Sequence, residues 1–324
     1  MKTDNEVRLM WAVTLINKGE SRTFEAMRWF RVLEDDGFPV ATKMGDSHAL
    51  VKLGHAFVYG EGVEEDEHKG FEFCLKSAEL GNPDGMFELA QCYYSGYGVD
   101  EDEAKANDWW RKALSVYKRM ADEGDAEAQY KVGRAYMRGD GVAEDGNVAF
   151  DWYVKAAQNG CGKAMEVVSD AYRNGEVVEK DLETGFDWYV KAAEHGIRIA
   201  QSILARNYYR GGEVQGIELE KDYNKSFRFA KMAVEQHDDT TALRVLAECY
   251  YHGNGVAEDN DKAFEYFKRA AAKGDGLAMD YLGDCYYNGF GTEENKLKAK
   301  GWYEKAAEVG IDSAKESLET KDFE

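Results

Sequence analysis

Residues 125–160, DAEAQYKVGRAYMRGDGVAEDGNVAFDWYVKAAQNG, are the stretch that decides the fold of this 324-residue chain. The stretch contains two helical patterns joined by a glycine loop, and the same arrangement recurs along the sequence. Equivalent loop glycines follow an apolar helical pattern at Gly60, Gly96, Gly139, Gly175, Gly211, Gly253 and Gly289. These glycines are spaced by 36, 43, 36, 36, 42 and 36 residues. A nearly constant period of this size predicts a solenoid of helical hairpins.

Each residue type within the repeat has a predictable structural role. In the first helix Ala128 and Val132 lie on one apolar face at helical spacing. The loop glycines Gly139 and Gly141 are expected to adopt left-handed backbone conformations that end this helix. Asp145 is expected to cap the second helix by accepting hydrogen bonds from its first amides. The predicted counterparts of this cap are Asp66, Asp102, Asp181, Asp222, Asp259 and Asn295.

The combined pattern resembles a known repeat family. It reads Ala-x-x-x-Leu-Gly-x-x-Tyr-x-x-Gly-x-Gly-Val-x-x-Asp-x-x-Lys-Ala-x-x-Trp-Tyr-x-Lys-Ala-Ala and is similar to the Sel1-like repeat, a relative of the tetratricopeptide repeat. The resemblance implies an all-α fold, a right-handed α/α superhelical solenoid of helix-turn-helix repeats. We predict a degenerate capping hairpin and connection at residues 1–46, seven repeats at 47–310, and a capping helix with a tail at 311–324.

Four places depart from the repeat pattern. The loop that begins at Gly175 lacks the second glycine. An insertion at residues 212–219 is expected to bulge from its loop, and residues 115–121 lengthen one second helix. His237 stands where a closing glycine is expected, which predicts an altered angle between two repeats.

Composition excludes several classes of partner. The net charge is −21 and the sequence pI is near 4.8, so phosphate backbones and anionic lipids would be repelled. No run of about 20 apolar residues is present, and the N-terminal apolar run is too short and too charged for a secretory signal. We therefore predict a cytoplasmic protein that binds neither nucleic acid nor membrane.

The reactive side chains do not form a recognisable catalytic or metal site. The five cysteines are odd in number and include no close pair, which argues against a disulfide framework or a zinc site. The six histidines contain no His-Glu-x-x-His motif. The acidic runs lack calcium-loop spacing, and the glycine loops lack the lysine of a phosphate-binding loop. The sequence predicts no cofactor, no metal and no catalysis.

The remaining candidate is the concave surface. Aligning the Leu-Gly-x-x-Tyr core with the tetratricopeptide pattern implies which first-helix residues line this groove. Tyrosine and arginine dominate binding hot spots, so the aromatic and arginine positions are the predicted partner-binding residues. They are Phe87, Tyr94, Tyr130, Arg134, Arg173, Arg206, Tyr209, Arg244, Tyr251 and Tyr287. The alternative is that the second tyrosine of each Tyr-Tyr pair only packs against a neighbouring helix.

Two classes of function follow from the resemblance. The first is a non-catalytic scaffold or adaptor, predicted to be a monomer, that holds a protein or peptide partner carrying at least one acidic contact. The second is a β-lactam-binding or hydrolysing enzyme, because a cysteine-rich branch of the family is associated with that activity. That branch is secreted and carries a cysteine pair in each repeat, and this chain has alanines at the equivalent steps. Self-assembly of the solenoid is a third, lesser hypothesis.

Overall fold

The computed structural model describes residues 47–61 and 63–324, except for the side chain of His237. Within these residues the chain forms fifteen helices and one two-stranded antiparallel hairpin. The predicted fold class, an all-α solenoid of helix-turn-helix repeats, is confirmed. The capping hairpin predicted for residues 1–46 lies outside the described residues. The chain divides into two compact units between Ala164 and Met165.

The first unit is a succession of antiparallel helices in which each helix packs against the next. Its core includes Leu89 and Cys92 on one side and Val132 and Tyr117 on the other, all less than a tenth exposed. Its helices are α1 Ser47–Tyr59, α2 Glu67–Glu79, α3 Pro83–Ser95, α4 Glu103–Asp122, α5 Ala126–Arg138 and α6 Gly146–Gln158.

The second unit has the same construction around one continuous core that reaches from Tyr189 to Cys285. Helix α7, Gly162–Asn174, contains the division between the units. The other elements are α8 Leu182–Glu194, α9 Arg198–Arg210, β1 Gly212–Val214, β2 Ile217–Leu219, α10 Tyr223–His237, α11 Thr240–His252, α12 Asn260–Ala272, α13 Gly276–Asn288, α14 Lys296–Glu308 and α15 Asp312–Thr320.

The predicted N-caps explain where the second helices begin. The Asp145 carboxylate accepts hydrogen bonds from the amides of Asn147 and Val148, both at 3.0 Å. A side-chain oxygen at this position satisfies backbone donors that have no partner inside the helix. The other six predicted caps accept such bonds too, at Asp66, Asp102, Asp181, Asp222, Asp259 and Asn295.

The second loop glycine has a role that the pattern did not predict. Gly255 has a φ of +74°, and a Cβ atom there would lie 2.2 Å from the carbonyl oxygen of Tyr223. Tyr223 belongs to the preceding repeat, so this glycine lets the loop lie directly on the neighbouring hairpin. Gly98 and Gly291 make the same close approach to the carbonyls of Glu67 and Asn260. The glycine is therefore required for contact between repeats as well as for the turn.

The insertion and the lengthened helix both appear where expected. Helix α4 has 20 residues, whereas most of the described helices have 13. Residues 212–219 leave the loop as a hairpin whose strands pair Gly212 with Leu219 and Val214 with Ile217. Val214 and Leu219 are buried in the core of the second unit. The insertion thus packs onto its unit and does not only bulge from it.

The prediction for His237 is wrong by one position. Helix α10 continues through His237, and the residue with left-handed backbone is Asp238, with a φ of +51°. The closing glycine Gly274 has a φ of +91° at the equivalent place, directly before the next N-cap. Aspartate tolerates this conformation better than most residues, and its carboxylate forms ion pairs with Arg269 and Lys273. The repeat closes with an aspartate in place of glycine.

Candidate functional site

A cavity of about 380 Å³ opens between the first helices of the three repeats in the first unit. Helices α1, α3 and α5 supply one residue row each, and the lengthened helix α4 closes the remaining wall. Tyr117 lies in the extension of α4 that the repeat pattern does not require. The lining residues are His48, Val51, Lys52, His55, Glu61, Asp84, Phe87, Glu88, Trp110, Ala113, Leu114, Tyr117, Lys131, Arg134, Ala135 and Asp140.

One wall of the cavity is aromatic. The ring centroids of Phe87 and Trp110 are 6.5 Å apart, and Tyr94 lies 5.4 Å from Trp110. Trp110 is only 7% exposed, and its Nε1 atom has no hydrogen-bond partner within the described chain. Tyr94 is 54% exposed at the edge of this wall. Phe87 and Tyr94 thus lie where an incoming apolar side chain could pack.

A hydrogen-bonded cluster forms the floor near α3. The Asp84 carboxylate accepts hydrogen bonds from the Tyr117 hydroxyl and from the Lys131 ammonium group. Burial alone would raise the pKa of Asp84, but Lys131 and Tyr117 outweigh it and the pKa is lowered. Lys131 also lies 5.1 Å from the centre of the Tyr117 ring. This cluster is internally satisfied and positions the wall of the cavity.

The cavity also contains three ionisable side chains that form no ion pair among the described residues, namely those of Arg134, Glu88 and Asp140. The Arg134 guanidinium lies 5.7 Å from the Phe87 ring centre, and no ion pair joins it to a carboxylate of the described chain. Burial raises the pKa of Glu88, an effect that His55, Lys131 and Arg134 oppose. Burial likewise raises the pKa of Asp140, whose Oδ2 atom is buried without a hydrogen-bond partner in the described chain.

Tyr130, also predicted to contact a partner, does not line the cavity. Its ring is half-buried against Tyr153, with centroids 5.6 Å apart, and Lys163 lies 5.9 Å from its centre. Tyr130 thus packs on Tyr153 of its own repeat and lies beside Lys163 of the next one.

The predicted partner-binding residues of the second unit differ in whether a partner could reach them. Arg206 is exposed on α9, whereas Arg173 forms an ion pair with Asp170 at 2.8 Å. The Tyr209 ring packs on Tyr223 with centroids 5.4 Å apart, and the Tyr209 hydroxyl accepts a hydrogen bond from the Asn254 side-chain amide. Burial raises the pKa of Tyr209, as expected for a phenol held inside a packed surface.

Arg244 requires a correction. The residue is 5% exposed, so its side chain is not available to a partner in this arrangement. Its Nη1 atom donates to Glu248 at 2.5 Å, and its Nε atom donates to Asp275 at 3.1 Å. Asp275 also caps α13 by accepting from the amide of Ala278. Arg244 therefore joins two successive repeats as a buried ion pair, and we remove it from the candidate surface.

Tyr251 and Tyr287 are also engaged within the protein. The Tyr251 ring contacts Phe267, Tyr281 and Phe290 with centroid distances between 5.6 and 6.0 Å. Tyr287 is covered by residues that follow α15, which are described below. The packing alternative stated for the tyrosines applies to Tyr251.

The sequence reasoning missed Trp110, Glu88 and Lys131. The groove positions taken from the tetratricopeptide pattern cover one face of each first helix. A second-helix residue such as Trp110 is therefore not among them. The available signal was the extra length of α4 at residues 115–121, which changes the wall opposite that face.

Other chemistry finds no support in the part of the chain that the structure describes. All five cysteines are free and buried. No cluster of three or more histidine, cysteine, aspartate or glutamate side chains with metal-binding geometry occurs among the described residues. None of the described helices is both long and apolar enough to cross a membrane.

Comparison with known proteins identifies the repeat. The family model described as the Sel1 repeat matches seven segments of the chain, at residues 47–82, 83–115, 126–161, 162–197, 199–238, 240–275 and 276–311. No curated protein is similar enough in sequence to be counted as a relative.

Solved structures give matches of the same kind. A protective antigen of uropathogenic Escherichia coli with an SLR fold is 25% identical, covers 91% of this chain and 67% of its own, and has a TM-score of 0.48. A Sel1 repeat protein from Oxalobacter formigenes is 27% identical over 92% of this chain and 80% of its own, also with a TM-score of 0.48. Helicobacter pylori cysteine rich protein B is 28% identical over 44% of this chain and 99% of its own, with a TM-score of 0.32.

Proposed function

This chain belongs to the Sel1 repeat family, and from that premise we propose that it is a non-catalytic scaffold that binds a partner protein in the cavity of its first unit. Sel1 repeat proteins generally serve as protein-interaction scaffolds. The observation that carries the proposal is the cavity of about 380 Å³, which three successive first helices line with aromatic and charged side chains. Concave sites with an apolar wall and a few convergent polar groups are typical binding sites.

The lining indicates which peptide chemistry fits. An apolar side chain of the partner packs against Phe87 and Trp110, which supply aromatic area of the kind found in binding hot spots. A carboxylate of the partner pairs with Arg134, whose guanidinium lies at the Phe87 ring. Glu88 lies in the same cavity and repels that carboxylate when it is ionised, so binding tightens when Glu88 is protonated or replaced by glutamine.

The enzymatic alternative has weaker support. The resemblance ties β-lactam chemistry to a branch with paired cysteines, whereas the five cysteines here are free and buried. Free thiols agree with a reducing compartment, which supports a cytoplasmic scaffold. We propose that the scaffold acts as a monomer. Sustained turnover of a chromogenic β-lactam by the purified chain would favour the enzyme over the scaffold.

Site-specific crosslinking tests the scaffold. A photoreactive benzoylphenylalanine replaces Tyr94, at the edge of the cavity, and in a control protein it replaces Leu297, which is 77% exposed in the second unit. We expect a protein that crosslinks at position 94 and not at position 297, and the crosslinked segment defines a peptide for titration calorimetry. Crosslinking to the same proteins from both positions contradicts a specific site in the cavity.

The captured peptide is then titrated against variants of the full chain. Phe87→Ala and Arg134→Ala should each weaken binding by tenfold or more, because each removes a central contact. Arg111→Ala is the matched control, since Arg111 is two-thirds exposed on α4 and does not line the cavity. Unchanged affinity in both cavity variants would rule out this surface.

A further inference from the structure

The side chain of Lys321 lies in a pocket that is made by other elements. Its Nζ atom is 2.5 Å from Oδ1 of Asp284 and lies 4.5 Å and 5.1 Å from the ring centres of Tyr303 and Tyr287. The Tyr303 hydroxyl donates a hydrogen bond of 2.7 Å to the same carboxylate. A carboxylate combined with two aromatic rings is a favourable site for an ammonium group. We call Asp284, Tyr287 and Tyr303 the lysine pocket.

A second side chain of the same segment is held beside the pocket. The Phe323 ring contacts the rings of Tyr287 and Tyr303 edge to face, with centroids 5.9 and 6.0 Å apart. Lys321 has extended backbone, with φ −90° and ψ 143°, and side chains two residues apart in an extended segment point to the same side. Lys321 and Phe323 therefore enter the site together, as alternate residues of a bound peptide do.

The residue between them faces a different partner. The Asp322 carboxylate lies 3.4 Å from the Lys296 ammonium group, and Lys296 also donates to the carbonyl oxygen of Glu324 at 3.0 Å. The segment 321–324, which we call the tail segment, is thus held by two side chains on one face and by Lys296 on the other. The tail segment itself forms no helix or strand, so side chains of other elements hold it in place.

The lysine pocket is built without the tail segment. Asp284 and Tyr287 belong to α13, and Tyr303, which is completely buried, belongs to α14. Asp280 adds negative charge one turn away, and its Oδ1 atom is buried without a hydrogen-bond partner among the described residues. Without Lys321 the Asp284 carboxylate would keep only the neutral Tyr303 hydroxyl, so the site is complementary to a cation.

We propose that the lysine pocket is a peptide-binding site for segments in which a lysine precedes an aromatic residue by two positions, and that the tail segment is its tethered occupant. Because a short tether holds its ligand at an effective concentration in the millimolar range, a partner must carry the same pair of side chains and compete with the tail. The site lies in the second unit and does not depend on the cavity of the first.

Release of the tail in the full chain tests the proposal. A Lys321→Ala/Phe323→Ala variant is titrated by fluorescence anisotropy with a labelled peptide Glu-Thr-Lys-Asp-Phe-Glu, the sequence of residues 319–324. We expect this variant to bind the peptide at least tenfold more tightly than the wild type, whose site is occupied. Adding Asp284→Asn should remove that binding, and peptides with alanine for lysine or phenylalanine should not bind.

Lys315→Ala is the control variant, because among the described residues the Lys315 ammonium group pairs with the exposed Asp312 of the same helix and with no other carboxylate. It should resemble the wild type. Equal binding of the Glu-Thr-Lys-Asp-Phe-Glu peptide to released and wild-type proteins, or equal binding of a scrambled peptide, overturns the proposal.

A second measurement does not rely on the folding of the released variant. The wild-type chain carries 4-fluorophenylalanine at position 323, and its fluorine NMR signal reports the environment of that ring. Millimolar Glu-Thr-Lys-Asp-Phe-Glu peptide should move the signal towards that of a free peptide, while the scrambled peptide should leave it unchanged. A signal that stays in place with both peptides means that the tail segment is a fixed part of the fold.

Discussion

Arg244 shows how a charged residue is used for structure within a repeat. The guanidinium and both of its carboxylate partners are largely removed from water, with side-chain exposures of 6% for Arg244, 3% for Glu248 and 14% for Asp275. Burial would lower the pKa of Arg244, but the two carboxylates outweigh it and the pKa is raised. The contribution of a buried arginine to stability depends on its partners, because a buried charge without a partner destabilises the folded state.

Removing Arg244 should therefore be costly for the second unit. We expect Arg244→Ala to lower the free energy of unfolding by about 3–5 kcal/mol, since Glu248 remains buried without its main partner. A double variant with methionine at 244 and 248 should lose less, because the Glu248 carboxylate is then no longer left buried without its partner and only Asp275 has lost its ion pair. The shift of the urea midpoint measures both, and the exposed Arg206→Ala serves as the control; equal midpoints for the two alanine variants would contradict the interpretation.

Removing the charge of Glu88 should stabilise the protein, in contrast to removing that of Arg244. Its pKa lies above the ordinary value of 4.5, so the folded state holds the proton more tightly than the unfolded chain does. The ionised carboxylate then destabilises the fold at neutral pH, and stability is regained as the pH falls through the raised pKa towards 4.5.

We expect Glu88→Gln to stabilise the protein at pH 7 by up to about 1 kcal/mol, the scale of one partly buried charge. The difference from the wild type should disappear near pH 4, where both side chains are neutral. Urea midpoints at the two pH values provide the measurement, with Glu72→Gln on the exposed face of α2 as the control. A variant that is less stable than the wild type at pH 7 would show that Glu88 has a stabilising partner.

At the scale of the element, the loop decides how one hairpin meets the next. The second helices of the repeats begin at aspartate or asparagine caps, and the first helices end at glycines, as the pattern predicts. The second loop glycine adds the contact between hairpins, because only a residue without a Cβ atom can lie so close to a carbonyl of the preceding repeat. The lengthened helix α4 likewise changes one repeat locally: its extra residues add a wall to the cavity, and the packing of the repeats is kept.

Gly255 and Gly274 both have left-handed backbone conformations, but only Gly255 lies against a neighbouring repeat. Substituting each of them separates the cost of the backbone conformation from the cost of the lost contact. Gly255→Ala should cost at least about 3 kcal/mol, since its Cβ would meet the Tyr223 carbonyl in addition to the left-handed backbone cost. Gly274→Ala, with a φ of +91° and open space around its Cβ, should cost about 1 kcal/mol from the backbone alone. Thermal and urea unfolding of the two variants provide the measurement, and similar losses would mean that the contact between repeats is unimportant.

At the scale of the whole molecule, the repeat period was enough to predict the fold class. Caps such as Asp145 follow from local hydrogen-bond chemistry, which is readable from one residue and its neighbours. The division into domains at residues 46 and 310 stays a prediction. Periodicity assigns a face to each first-helix residue, and for Phe87 and Arg134 that face lines the cavity.

The candidate site was less predictable because it depends on neighbours that are distant in sequence. Arg244 and Arg134 are both predicted groove arginines, but the carboxylates of Glu248 and of Asp275, the latter 31 residues away, hold Arg244 in a buried ion pair. Tyr287 looks like an open groove position until Phe323 covers it. Helical spacing specifies where a side chain starts and cannot specify which later segment will meet it.

The small hairpin at residues 212–219 has a consequence for protein engineering. The eight-residue hairpin is accommodated between α9 and α10 while both helices keep their packing, since lengthening a loop costs little chain entropy. Val214 and Leu219 are buried in the core and Ile217 packs against it, whereas the turn is formed by Gln215 and Gly216. An epitope or a small reporter could therefore be inserted at this turn, provided that the buried Val214 and Leu219 are kept to hold the hairpin on its unit.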